Sequence, residues 1–201
     1  MKHFRPRRAK YIADKFPLLF ESKSSVLDVG GGGYPWNMLE PVAHLTILNV
    51  RRPHSVPVDC KWNFVEGDGT KLQYPDQTFD LVFSNSVIEH VGDWVAQQAF
   101  ASEMLRVGRK VYCQTPNKWF PVEPHFITLF IHYLPYTVLR QLIRYFSIWG
   151  IVNKPSQKVI DEYLLSTRLL TYRQIVLLFP GCDIQRERVL GLTKSFIVTK
   201  K

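Results

Sequence analysis

The sequence predicts an α/β protein built on a mostly parallel sheet with helices on both faces. Short apolar runs bounded by turn residues recur along the 201 residues, helical patterns separate several of them, and a glycine run follows the first directly. The runs lie at 25–29, 45–50, 62–66, 79–83, 109–114, 184–189 and 195–199, each short enough for a strand. A helix is expected over 91–106, where Trp94, Val95, Ala99, Phe100, Met104 and Leu105 recur at helical spacing. Another is expected over 171–178, ahead of the stop Phe179-Pro180-Gly181.

With 46% hydrophobic and 21% charged residues, the composition is that of a folded globular chain. Its length suits one domain over 1–201, opening with a basic helical segment at 1–24. The basic start leads into mixed sequence without an uninterrupted apolar stretch, so neither a signal peptide nor a transmembrane helix is expected. Cys60, Cys113 and Cys182 follow no disulfide or zinc spacing, and a reduced, cytoplasmic setting is expected. The net charge of +9 is uneven: Lys2, Arg5, Arg7, Arg8, Lys10 and Lys15 face only Asp14 among the first fifteen residues. Such a balance serves solubility or an anionic partner, and charge alone does not choose.

Val26-Leu27-Asp28-Val29-Gly30-Gly31-Gly32-Gly33 sets an apolar strand directly before glycines, which allows backbone to approach a ligand at the carboxyl end of a strand. The dinucleotide fingerprint G-x-G-x-x-G fits poorly, because Tyr34 and Pro35 stand where a third glycine would open a helix.

Asp28-Val29-Gly30-Gly31-Gly32 resembles the first motif of class I S-adenosylmethionine-dependent methyltransferases, of the small methyltransferase-11-like type. Further segments resemble the same family in the same order: Glu66-Gly67-Asp68-Gly69-Thr70, then Phe79-Asp80-Leu81-Val82, then Ser84-Asn85-Ser86-Val87-Ile88-Glu89-His90, then Leu105-Arg106-Val107-Gly108-Arg109. The resemblance implies a Rossmann-like methyltransferase fold. That fold has a seven-stranded, mostly parallel sheet with an antiparallel last strand, helices on both faces, and an irregular or helical insertion after strand five. It also implies S-adenosylmethionine as cofactor, with Asp28 near the methionyl end and Gly30, Gly31 and Gly32 beneath the ribose and amino acid portions. Asp68 and Gly69 would lie on the adenine side, and Ser84 and Asn85 after the fourth strand. Acids that accept hydrogen bonds suit a ligand with an ammonium, ribose hydroxyls and an adenine amine. The chain departs from the family at Asn49, which ends the second strand where most relatives carry an acid for the ribose.

Methyl transfer to a hydroxyl needs a positioned nucleophile and a proton acceptor. His125, His90 and Glu89 are the candidates: His90 follows Glu89 just past strand four, and His125 lies in a Pro-rich loop past strand five. This spacing also resembles the metal-binding pattern of small-RNA 2′-O-methyltransferases, but Ser86 stands where that pattern has a further acid, so no metal site is assigned. From 116 to 166 the strand and helix alternation fails, and that stretch is expected to be a substrate-side insertion. Its part 126–149 is apolar, aromatic and basic without an acid, as an aromatic lid or a peripheral membrane contact requires. The expected activity is O-methylation of a small-molecule, glycan or lipid-linked acceptor. A nucleic-acid acceptor or a cofactor-binding, non-catalytic partner are the alternatives.

Overall fold

The computed structural model describes residues 4–51, 62–123 and 126–200. Seven strands form one sheet: β1 (Ser25–Val29), β2 (His44–Asn49), β3 (Asn63–Glu66), β4 (Phe79–Asn85), β5 (Gly108–Pro116), β8 (Asp183–Val189) and β9 (Leu192–Lys200). A two-stranded hairpin, β6 (Val122–Glu123) with β7 (Thr128–Leu129), stands apart from it. The sheet order is β3-β2-β1-β4-β5-β9-β8. β1, β2, β3, β4 and β5 pair in parallel, while β9 runs antiparallel to both β5 and β8. The fold is therefore the seven-stranded, Rossmann-like sheet with a reversed last strand that the sequence suggests.

The order reverses between β1 and β4, which opens a crevice at the carboxyl ends of these strands. Pro116 at the end of β5 pairs with Ser195 near the start of β9, so the reversed strand begins at this same edge. The β8–β9 turn, Leu190-Gly191, has positive φ at both residues (49° and 80°), as a two-residue hairpin turn matching strand twist demands.

The helices divide by face because successive strand residues point to opposite sides. On one face, α3 (Trp94–Val107) and α7 (Tyr172–Leu178) bury Phe100, Met104, Ile175 and Leu178 against Leu27, Val29, Val82 and Val111. On the other, α1 (Phe4–Lys15) and the short α2 (Trp36–Leu39) bring Ile12, Phe16 and Trp36 onto Val26, Ile47, Phe83 and Tyr112. α3 begins three residues later than the sequence pattern suggests. Gly92 has φ +118° and the Asp93 side chain accepts from Ala96 N at 2.9 Å, which ends the preceding turn and caps the helix there. Thr171 caps α7 in a full capping box with Gln174.

The insertion after β5 carries α4 (Tyr136–Phe146), α5 (Ile148–Asn153) and α6 (Gln157–Ser166) besides the hairpin. It has a small core of its own, in which Phe126, Ile131, Leu139, Ile143 and Ile160 pack with Trp149 and Tyr163. No helix among the described residues is long and apolar enough to cross a membrane.

Candidate active site

The loop after β1 turns sharply beneath the crevice, with Gly30 at φ +79° and its N–H donated to Leu48 O at 2.7 Å. A Cβ on Gly30 would lie 2.4 Å from Val87 Cγ1, so the loops after β1 and β4 are packed too closely for any side chain there. At Gly31 a Cβ would fall 1.7 Å from Asp28 Oδ2: the carboxyl sits directly under the glycine backbone. Asp28 is fully buried because β1 alternation sends it to the Trp36 face of the sheet, where Trp36 Nε1 donates to Oδ2 at 2.6 Å. Oδ1 has no partner. Burial pushes the Asp28 carboxyl up to about 7, and the Trp36 hydrogen bond offsets only part of that rise.

Two cavities flank this loop and share Gly30 and Ser86. The first, about 470 Å³, lies toward β2 and β3 and is lined by Leu48, Asn49, Asp68, Gly69, His90 and Phe100 among others. The second, about 480 Å³, lies toward β5 and β9 and is lined by Asp28, Gly31, Gly32, Asn85, Gln114 and Tyr34, with Phe120, Val122, Ile127, Arg5, Arg8 and Lys194.

On the β2 side, Asn49 Nδ2 donates to Gly31 O at 3.3 Å, and Asn49 Oδ1 accepts from Val50 N at 2.9 Å. An aspartate could not make the first bond, which gives the departure from the family acid a structural reason. Asp68 is exposed, and its Oδ1 accepts from both the N–H and the hydroxyl of Thr70 at 2.8 Å. Gly69 lets the next turn pass against Phe100 and Val29, since a Cβ would lie 2.7 Å from each. His90, exposed on the turn after β4, faces Thr167 Oγ1 through Nδ1 at 3.3 Å and lines this cavity rather than the other.

On the β5 side, Arg8 of α1 ties three strands together. It donates to Asn85 Oδ1 (3.1 Å) and Gln114 Oε1 (3.2 Å) and pairs with Glu187 Oε2 at 2.6 Å. Its side chain is only 10% exposed; burial opposes its charge, but the Glu187 pair outweighs that and raises its pKa. Burial lowers the pKa of the Lys194 ammonium, with Glu187 opposing the fall and Arg8 adding to it. Tyr34 donates its hydroxyl to Arg5 O at 3.1 Å, and the Arg5 guanidinium lies over its ring.

Ser84 and Glu89 reach neither cavity. Ser84 Oγ donates to Val29 O at 3.0 Å inside the sheet, and Glu89 is fully buried, accepting from Thr115 Oγ1 at 2.8 Å. His125 lies outside the described residues. Among the described residues no three His, Cys, Asp or Glu side chains gather as a metal site requires.

Sequence reasoning missed Arg5, Arg8, Tyr34, Trp36, Gln114 and Lys194 as site residues. The N-terminal cations were visible only as charge, and Tyr34 only as a residue that spoils a dinucleotide loop.

These features fit S-adenosylmethionine. The glycine backbone leaves no room for Cβ atoms, as a ligand-cradling loop requires, and the unpartnered buried Asp28 Oδ1 calls for a cationic donor such as an α-ammonium. A family model described as a methyltransferase domain matches residues 1–151. Phosphoethanolamine N-methyltransferase 3 of Arabidopsis thaliana is 30% identical over 106 residues, which is 46% of this chain. The chain spans only 22% of that relative's length. Among solved structures, an S-adenosylmethionine-dependent methyltransferase from Mesorhizobium loti superposes with TM-score 0.56 at 14% identity, covering 95% of this chain and 96% of that one. The 1,6-didemethyltoxoflavin-N1-methyltransferase of Burkholderia thailandensis gives TM-score 0.58 at 14% identity, covering 96% of this chain and 75% of that one. The chain thus belongs to the methyltransferase-domain family and carries it on a Rossmann-like fold whose sheet order reverses at the crevice between β1 and β4.

Proposed function

We propose that the chain methylates a hydroxyl on a small acceptor that carries an anionic group, and that the acceptor occupies the cavity toward β5 and β9. The observation that carries this reading is the lining: Arg5, Arg8 and Lys194 supply three cationic side chains against Asp28 in the lining and Glu187, which pairs with Arg8 behind it. Phosphate or carboxylate groups suit such a lining, since charge-assisted hydrogen bonds to guanidinium and ammonium are the strong ones. Glycan and lipid-linked acceptors that bear phosphate fall within this class.

S-adenosylmethionine supplies a sulfonium methyl group for in-line displacement when bound. The glycine backbone and Asn49 would hold its ribose side, Asp28 its ammonium and Asp68 its adenine amine. Arg5, Arg8 and Lys194 would orient the acceptor, while Phe120, Val122 and Ile127 exclude water from its apolar side. His125 is the proposed proton acceptor. Its support is that Val122 and Ile127, on either side of it in sequence, both line the cavity. His90 has less support as base, because it lines the other cavity.

A panel of phosphorylated or carboxylated alcohols and their neutral counterparts, followed by mass spectrometry, tests the reading. Methylation confined to the anionic members is expected, with His125→Ala lowering kcat by about 10²–10⁴. Equal rates on neutral members would count against it. The name of the Arabidopsis relative favours a second reading, an amine acceptor that sheds its own proton. In that case phosphorylated amines react and His125→Ala leaves kcat within a few-fold.

A further inference from the structure

The insertion after β5 presents an apolar surface that its own core does not use. Of the twenty-five large hydrophobic side chains exposed among the described residues, twelve fall between 127 and 152. Leu129, Phe130, Tyr145, Phe146, Ile151 and Val152 are each more than half exposed. They come from β7 and the residue after it, from the end of α4 and from α5. A groove of about 570 Å³ runs beside it, lined, Thr128 apart, by apolar side chains of 127–134 together with Leu142 and Phe146. Ile127 lines both this groove and the cationic cavity, so the two adjoin at that side chain. Ile127 and Phe130 hold φ of +51° and +57°, a conformation that a β-branched or bulky residue rarely keeps without a reason.

The charge on this surface has one sign. No acid occurs from 124 to 160, while Arg140, Arg144, Lys154 and Lys158 lie within that stretch. Arg140 is paired with Asp161, at 2.9 Å through Nε, and Lys158 stands 3.9 Å from Glu162; Arg144 and Lys154 are exposed beside the apolar residues. Apolar side chains rimmed by cations are what a segment needs to lie in the interface of an anionic bilayer.

We infer that the insertion docks the protein on an anionic lipid surface, with Leu129, Phe130 and Phe146 entering the interface and Arg144 and Lys154 meeting the headgroups, so that the cationic cavity opens to the membrane through Ile127. The inference does not depend on which acceptor is methylated.

Cosedimentation of the full chain tests it, with vesicles of phosphatidylcholine alone or with about 30% phosphatidylglycerol, at low and high salt. The protein is expected to pellet with the phosphatidylglycerol vesicles at low salt, and high salt should release most of it. Leu129→Glu/Phe146→Glu should lower binding at least tenfold, and Arg144→Glu/Lys154→Glu, which leaves the apolar residues intact, should do the same. S-adenosylhomocysteine binding by calorimetry checks that each variant keeps its fold and its donor site; its loss in the wild type would refute the donor assignment and leave the docking result standing. Protein that stays in the supernatant with both vesicles overturns the inference, as do variants that bind like the wild type. A stable wild-type dimer that Leu129→Glu/Phe146→Glu breaks, without vesicle binding, also overturns it, since a second copy then covers the face.

Discussion

The two cavities that share Gly30 and Ser86 are built by different means. The one toward β2 and β3 is lined by the ends of β1, β2, β3 and β4 and the turns that follow them, at 29–30, 48–50, 67–70 and 86–91, where glycines and short polar residues stand beside Val, Leu and Phe side chains. The one toward β5 and β9 is assembled from long side chains that start far apart: Arg5 and Arg8 on α1, Phe120 and Ile127 in the insertion, Lys194 on the reversed strand. Backbone cradles tolerate little change and serve one ligand; side-chain assemblies can be retuned one residue at a time. On the proposed assignment the donor side is fixed by geometry and the acceptor side by charge.

If that contrast holds, the largest effect on ligand binding comes from the glycine loop between the two cavities. Gly31→Ala puts a methyl group 1.7 Å from Asp28 Oδ2, and the loop must shift to relieve it. Calorimetry should show S-adenosylhomocysteine binding weakened by about a thousandfold, roughly 4 kcal/mol, in a protein that still melts cooperatively. Next comes the buried pair. Arg8→Met strands Glu187 and should cost about 3–5 kcal/mol by denaturant unfolding. Arg8→Met/Glu187→Leu should recover most of that stability while the KM for an anionic acceptor stays raised, separating the pair's structural role from its proposed binding role. Lys194→Met is expected to raise the same KM about ten- to a hundredfold, as losing one charge-assisted hydrogen bond does, and to leave donor affinity unchanged. The smallest effect is predicted for Asn49→Asp. It removes the donor to Gly31 O and sets a carboxylate against that carbonyl, so donor affinity should fall only a few-fold, about 1 kcal/mol. A loss of donor affinity in Lys194→Met as large as that in Gly31→Ala would break the distinction between cradle and assembly.

The same contrast explains what could be read from the sequence. The sheet was legible because each strand is a short apolar run closed by turn residues. The loop proposed to hold the donor was legible because Asp28 and its glycines are contiguous. Ser84 shows the limit: the apolar run stops at Phe83, which leaves Ser84 and Asn85 looking alike, yet β4 continues to Asn85 and its pleat turns Ser84 inward to Val29 O. His90 follows a similar rule, because the turn after β4 faces it toward the β2 side. Arg8 and Lys194 meet only because β9 reverses and starts at the edge where β5 ends, a pairing with no local signature. The division of the insertion into a buried set, such as Ile143 and Ile160, and an exposed set, such as Phe146 and Ile151, depends equally on contacts between segments.

Asp28, under Gly31 in the cavity toward β5 and β9, adds a titratable group to this account. Its pKa is raised from an ordinary 3.8 to about 7, so between those values the folded chain binds a proton that the unfolded chain has lost, and stability falls as pH rises through the window. Asp28→Asn should remove that fall and raise stability at pH 8 by a few kcal/mol, on the order of the shift itself, while weakening the donor site that gives the carboxyl its role. The most direct measurement is calorimetric titration of S-adenosylhomocysteine at pH 7 in buffers of different ionisation enthalpy. An ammonium meeting Asp28 Oδ1 drives off the proton that about half the molecules carry, so binding should release about half a proton per site at pH 7 and almost none at pH 9. Absence of binding, or binding with the same proton count in wild type and Asp28→Asn, would contradict the assignment of this loop as the methyl-donor site.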